Sequence, residues 1–72
     1  MSKRVTSQMA GTVLEVLVKV GDPVRAGQEI AVLESMKMEV PVVSPQAGKV
    51  TELFKNKGDF VNEGEALIEM SE

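Results

Sequence analysis

Seventy-two residues allow one domain, near the size at which a single core barely suffices, and without cysteine or histidine the chain has no disulfide and lacks the usual zinc and copper ligands. Eleven acidic against eight basic residues leave a formal charge of −3, and two phenylalanines are the only aromatics, which excludes a nucleic-acid partner read by a basic stripe or by base stacking. No apolar run approaches the roughly 18 residues that span a bilayer, and Met1-Ser2-Lys3-Arg4 is not followed by an apolar signal core, so the expectation is a cytoplasmic protein with no membrane partner.

Twelve valines, and Gly or Pro at short intervals, favour strands over helices, and an all-β fold is expected. Along the chain, Val5-Thr6-Ser7 leads to a strand expected from Gly11 to Val20. A Gly21-Asp22 turn, a short strand at Val24, a second turn at Gly27 and a closing strand from Glu29 to Glu34 follow. Beyond residue 41 the same order returns: a strand from Gly48 to Lys57, Gly58-Asp59, Val61, Gly64, and a closing strand from Ala66 to Met70.

The recurrence is an internal repeat. With residues 5–33 laid over 42–70, ten of the 29 pairs are identical, among them Ser7 with Ser44, Gly11 with Gly48, Gly21-Asp22 with Gly58-Asp59, and Gly27 with Gly64. The matches fall where turns are demanding, since Gly adopts positive φ and Asp can bond back to its own turn. Two copies of one motif imply two facing sheets related by a pseudo-two-fold axis, neither half burying its apolar face alone. Within the first strand Val16, Val18 and Val20 alternate with Leu17 and Lys19, so period alone leaves the core-facing side open.

The linker between the copies, residues 34–41, has no counterpart in either. Entering the second half from the first is most direct through a hairpin turn. Lys37 sits at its middle, flanked by Met36 and Met38, then by Ser35, Glu34 and Glu39. Read by themselves, the methionines could be core, with Lys37 one solvated lysine among six. Their place at the pivot of the repeat favours an exposed turn with soft, adaptable contacts for another protein.

Glu34-Ser35-Met36-Lys37-Met38-Glu39 resembles the Met-Lys-Met signature of the biotinyl/lipoyl attachment family, and nearly the whole of residues 1–72 is similar to it, from Val5-Thr6-Ser7 to the second Gly58-Asp59. The resemblance implies a flattened β-barrel, a barrel-sandwich hybrid of two four-stranded antiparallel sheets, with the attachment hairpin at one end and both termini at the other. It implies covalent biotin on Lys37, with Met36 and Met38 recognised by biotin protein ligase and Glu34, Ser35 and Glu39 flanking the turn. It also implies transfer of carboxybiotin between a biotin carboxylase and a carboxyltransferase, from a carrier monomeric in isolation. Gly11 runs on to Gly21 without the extra thumb loop of the bacterial acetyl-CoA carboxylase carrier, and the chain begins almost at its first strand, without that carrier's long extension. It is thus more similar to carrier modules for propionyl-, methylcrotonyl- or pyruvate-type substrates. Lipoyl domains usually carry Asp-Lys-Ala at this turn, which is absent here.

An ordinary lysine has a pKa near 10.4 and presents roughly one neutral amine in a thousand at pH 7. No base or desolvating pocket near Lys37 is visible in the sequence, so its amine is expected to be the substrate of a ligase that removes the proton and supplies an acyl adenylate. Two alternatives remain: lipoate in place of biotin, or an unmodified interaction module. With no His, Cys or Tyr and no catalytic constellation, a stand-alone enzyme is not expected.

Overall fold

Short runs rich in valine, isoleucine and leucine, bounded by glycine-containing turns, make strands that bury apolar side chains against one another. In the computed structural model, which describes residues 3–71, these segments form eight strands and no helix. They are β1 (Lys3–Thr6), β2 (Gly11–Val16), β3 (Pro23–Val24), β4 (Glu29–Ser35), β5 (Met38–Val43), β6 (Gly48–Leu53), β7 (Phe60–Val61) and β8 (Ala66–Ser71). The first sheet runs β1-β8-β6-β3 and the second β5-β4-β2-β7, both antiparallel throughout. The body measures 34 × 19 × 18 Å.

The repeat is interlaced: each sheet takes two strands from each half. Shifting the first order by one repeat turns β1, β8, β6 and β3 into β5, β4, β2 and β7, which is the order of the second sheet. The hydrogen bonds follow the same rule. Among the described residues, every backbone bond outside the strand ladders has a twin at the repeat offset. Leu17 N–H to Ile30 C=O answers Phe54 N–H to Leu67 C=O, and Gly21 N–H to Val50 C=O answers Gly58 N–H to Val13 C=O.

Side chains from both halves share one core, with Val13, Ile30, Leu33, Val50, Val61, Leu67, Ile68 and Met70 buried between the sheets. Ser7 and Ser44 are buried as well. Each hydroxyl donates to a carbonyl two residues on, at Met9 and Gln46, and accepts that residue's N–H, so neither polar atom is left unpaired.

The expected strand from Gly11 to Val20 ends at Val16, and its twin ends at Leu53, not Lys57. At those points the chain changes sheets. Leu17 is still bonded to β4 in the second sheet, whereas the N–H of Gly21 already reaches Val50 in the first. A segment that rotates between sheets follows no single period. Val18 is buried in the core, and Val20 lies largely in water. The turns at Gly21, Gly27, Gly58 and Gly64 all have positive φ, from +86° to +98°, as the repeat required.

Candidate functional site

β4 and β5 pair as Leu33 with Val40, Glu34 with Glu39 and Ser35 with Met38. Only Met36 and Lys37 are left to make the loop. Both have positive φ, +54° and +64°, the geometry of a two-residue type I′ turn, whose twist suits the flanking strands. Such turns usually take Asn-Gly. Side chains with a Cβ in the left-handed region cost about 1–2 kcal/mol per residue. Here two large ones hold that conformation because the β4–β5 ladder and β2 behind it fix the strands on either side.

The turn thrusts its side chains into solvent. Met36 is 91% exposed and Met38 66%, so neither methionine belongs to the core. Lys37 is exposed, and among the described residues its amine joins no hydrogen bond or ion pair. Lys3 differs, since its amine donates to Ala47 C=O, and so does Lys55, which pairs with Glu65. Glu34 and Glu39 face each other across the strands just below the turn and are both exposed. Opposed like charges weaken a strand pair, so this rung works against stability.

Support comes from β2. A Cβ on Gly11 would lie 2.6 Å from the carbonyl oxygen of Glu34 and 3.5 Å from the Cβ of half-buried Ser35. The missing side chain lets β2 close against the arm of the hairpin. All six residues expected at the site therefore stand together, in one turn and its last two strand pairs.

Sequence reading missed the strain in the turn. The signal was available in the matched spacing of Glu34 and Glu39 about Met36-Lys37, which leaves room for two loop residues only. It also missed a shallow cleft of about 110 Å³ between β5 and the β1–β2 connection. That cleft is lined by Met9, Leu33, Val40 and Val43 among others, with no titratable side chain. Among the described residues no cluster of three carboxylates could hold a metal. The arrangement offers one chemical feature, a free primary amine at the end of a strained, well-braced turn.

Comparison with known proteins bears on that amine. Residues 1–70 match the family model described as biotin-requiring enzyme. The chain is 55% identical over 67 residues to the biotin/lipoyl attachment protein of Bacillus subtilis, covering 93% of this chain and 92% of that one. It is 47% identical over 60 residues to the biotin carboxyl carrier protein of Streptococcus mutans, covering 83% of this chain and 46% of that one. The urea carboxylase of Kluyveromyces lactis contains a similar fold, with a TM-score of 0.90 and 28% identity over 99% of this chain, which is 6% of that protein.

Proposed function

Because the chain belongs to the biotin/lipoyl attachment family, a family of non-catalytic carriers, we propose that it is a biotin carboxyl carrier acylated on Lys37. One observation carries the assignment to Lys37: among the described residues its amine has no partner, and it stands at the outer end of the type I′ turn, between two methionines exposed to solvent. An amide-linked prosthetic group needs an amine that a ligase can enclose, on a support that does not give way. Lys37 supplies the first and the β4–β5 ladder braced by Gly11 the second.

In the acylation step the ligase takes a proton from the Lys37 ammonium, and the amine attacks the carbonyl carbon of an acyl adenylate. The new C–N bond forms as the C–O bond to phosphate breaks, and AMP leaves with that electron pair. The nitrogen gives its second proton to a base of the ligase or to the departing phosphate, leaving a neutral amide. Lysine loses its charge on becoming an amide, so the hairpin goes from one cation between two carboxylates to two carboxylates alone. Met36 and Met38 offer the ligase soft apolar contacts on both sides of the reacting amine. When bound, biotin supplies a ureido ring that accepts and gives up a carboxyl group. The protein itself carries and presents. Tethered delivery raises the effective concentration at each partner into the millimolar range for a short arm. The partners of this reading are biotin protein ligase, a biotin carboxylase and a carboxyltransferase.

A second reading puts lipoate on the same lysine, and the name of the Bacillus subtilis relative covers both groups. The test is to incubate the purified chain separately with a biotin ligase and a lipoate ligase, each with ATP and its acid, and to read intact mass. The carrier reading expects one biotinyl group per chain and little lipoyl. Lipoyl alone would replace biotin with lipoate, and no mass change with either enzyme would leave an unmodified module.

A further inference from the structure

The pseudo-two-fold repeat provides an internal control, because each outward position of one sheet has a structural twin on the other. On the first sheet Arg4 lies over the ring of Phe54, 5.3 Å from its centroid, and its Nε donates to Glu69 at 3.1 Å. Arg4 thus covers the one aromatic of that face and neutralises its central acid. The twins of Arg4, Phe54 and Glu69 are Pro41, Leu17 and Val32, in the same register: Val32 pairs with Pro41 as Glu69 pairs with Arg4, and Leu17 bonds to Ile30 as Phe54 bonds to Leu67. Nothing there can act as a lid. Leu17 is 43% exposed, and Val43 and Phe60 on the same sheet are 48% and 56% exposed.

Of the large hydrophobic residues exposed among the described residues, none lies on a strand of the first sheet. They lie in the hairpin, on the second sheet, or in the segment leaving it. Charge divides the same way. Strands β2, β4, β5 and β7 carry Glu15, Glu29, Glu34 and Glu39 and no basic residue. Strands β1, β3, β6 and β8 carry Lys3, Arg4 and Lys49 with Glu52 and Glu69. Topology and register are shared, so the fold does not require this difference.

We propose that the outer face of the second sheet, centred on Leu17, Val32, Pro41, Val43 and Phe60, docks the carrier onto the biotin carboxylase that loads it. An apolar centre with an acidic rim complements an apolar patch ringed by Lys and Arg. An enzyme that draws in ATP and bicarbonate, both anions, needs a cationic entrance. A second copy of this chain is a poor occupant, since two such faces would oppose four carboxylates to four. The face also runs into the attachment turn: Glu39, Glu34, Thr12 and Phe60 form one row across the sheet just below Met36-Lys37. Docking there would hold the turn at the enzyme's mouth. Strand addition along the free edge of β5 is disfavoured, because Pro41 has no N–H to give.

This inference rests on the carrier reading, but its test does not require acylation. Isotope-labelled full-length chain is titrated with purified biotin carboxylase while amide lines are followed for broadening. Broadening is expected on β2, β4, β5 and β7 and not on β1, β6 and β8. Leu17→Lys and Phe60→Lys should each raise Kd about tenfold, the scale of a well-buried interface anchor, and added salt should weaken binding. Thr51→Lys, on the outer face of the first sheet, should change Kd less than twofold, and melting curves check that each variant is folded. Broadening on the first sheet or on the hairpin alone, equal effects of all three variants, or self-association on the second sheet without carboxylase would each overturn the proposal. So would the absence of any complex, which would still leave acylation of Lys37, read by mass, untouched.

Discussion

Gly11 presses against Glu34, with a distance of 2.6 Å between that strand's carbonyl oxygen and the place a Cβ would take. The contact is backbone on backbone, so nothing can rotate away. Gly11→Ala should cost about 1–3 kcal/mol, the range of overpacking, and should loosen the arm that presents Lys37. Gly58 has no atom within 4 Å of its added Cβ, but its φ is +93°. Gly58→Ala should therefore cost only the backbone strain, about 1–2 kcal/mol. Urea unfolding of both variants checks the magnitudes, and hydrogen exchange at Ser35 and Met38 should quicken more in Gly11→Ala.

The left-handed backbone at Met36 and Lys37 makes the hairpin a place where stability has been given up. Replacing the pair by the residues a type I′ turn favours, Met36→Asn with Lys37→Gly, should stabilise the fold by about 1–2 kcal/mol. It should also remove acylation completely. A rise in melting temperature together with a blank streptavidin blot is the expected pair of results.

Identity of the flanking side chains is a separate matter from the lysine. Met36→Asp with Met38→Ala makes a lipoyl-like Asp-Lys-Ala turn. Both methionines are exposed, and Asp tolerates positive φ better than Met, so thermal stability should stay within about 1 kcal/mol. Biotinylation should fall sharply, because a ligase pocket shaped for a thioether must bury an unpaired carboxylate. Initial acylation rates with each ligase, beside a melting curve, check both statements.

Glu65 has its pKa lowered chiefly by the backbone N–H of Asn62, with help from the Lys55 charge. A carboxylate with a depressed folded pKa stabilises the fold above its unfolded pKa, and that contribution fades as pH falls through the folded value. The repeat twin is Gln28, whose carbonyl oxygen accepts from Arg25 N–H in the same way and does not titrate. Glu65→Gln keeps an acceptor for the Asn62 N–H but not the charge, so it should be slightly less stable than the parent at pH 7. It should draw level with the parent as pH falls through the folded pKa, flattening the acid limb. Denaturant midpoints measured from pH 7 down to pH 3 test this.

Much of the fold was legible because its constraints are local. A turn that needs positive φ needs Gly, and Gly21, Gly27, Gly58 and Gly64 sit where the repeat places them. The turn at Lys37 was legible because the repeat stops at residue 33 and resumes at 42, leaving one short linker. The valines of segment 17–20 predict strand, and segment 54–57, Phe54-Lys55-Asn56-Lys57, is expected to follow it only as its repeat twin. Their course depends on Gly21 and Gly58 bonding across to Val50 and Val13, partners 29 and 45 residues away that no local pattern announces. The unlike outer faces were hidden for the same reason, since Arg4 meets Phe54 and Glu69 only after both sheets form.

Lys37 as the acylated residue is the central claim, and site-resolved mass spectrometry tests it most directly. The chain is co-expressed with a biotin ligase, purified, digested and sequenced by tandem mass spectrometry beside its Lys37→Arg variant. One biotinyl group is expected on Lys37, with none on Lys3, Lys19, Lys49, Lys55 or Lys57. The Arg variant should be unlabelled and should melt with the parent protein, because an exposed charge in a turn adds little to stability. Biotin on any other lysine of the parent, or a labelled Lys37→Arg variant, would contradict the account.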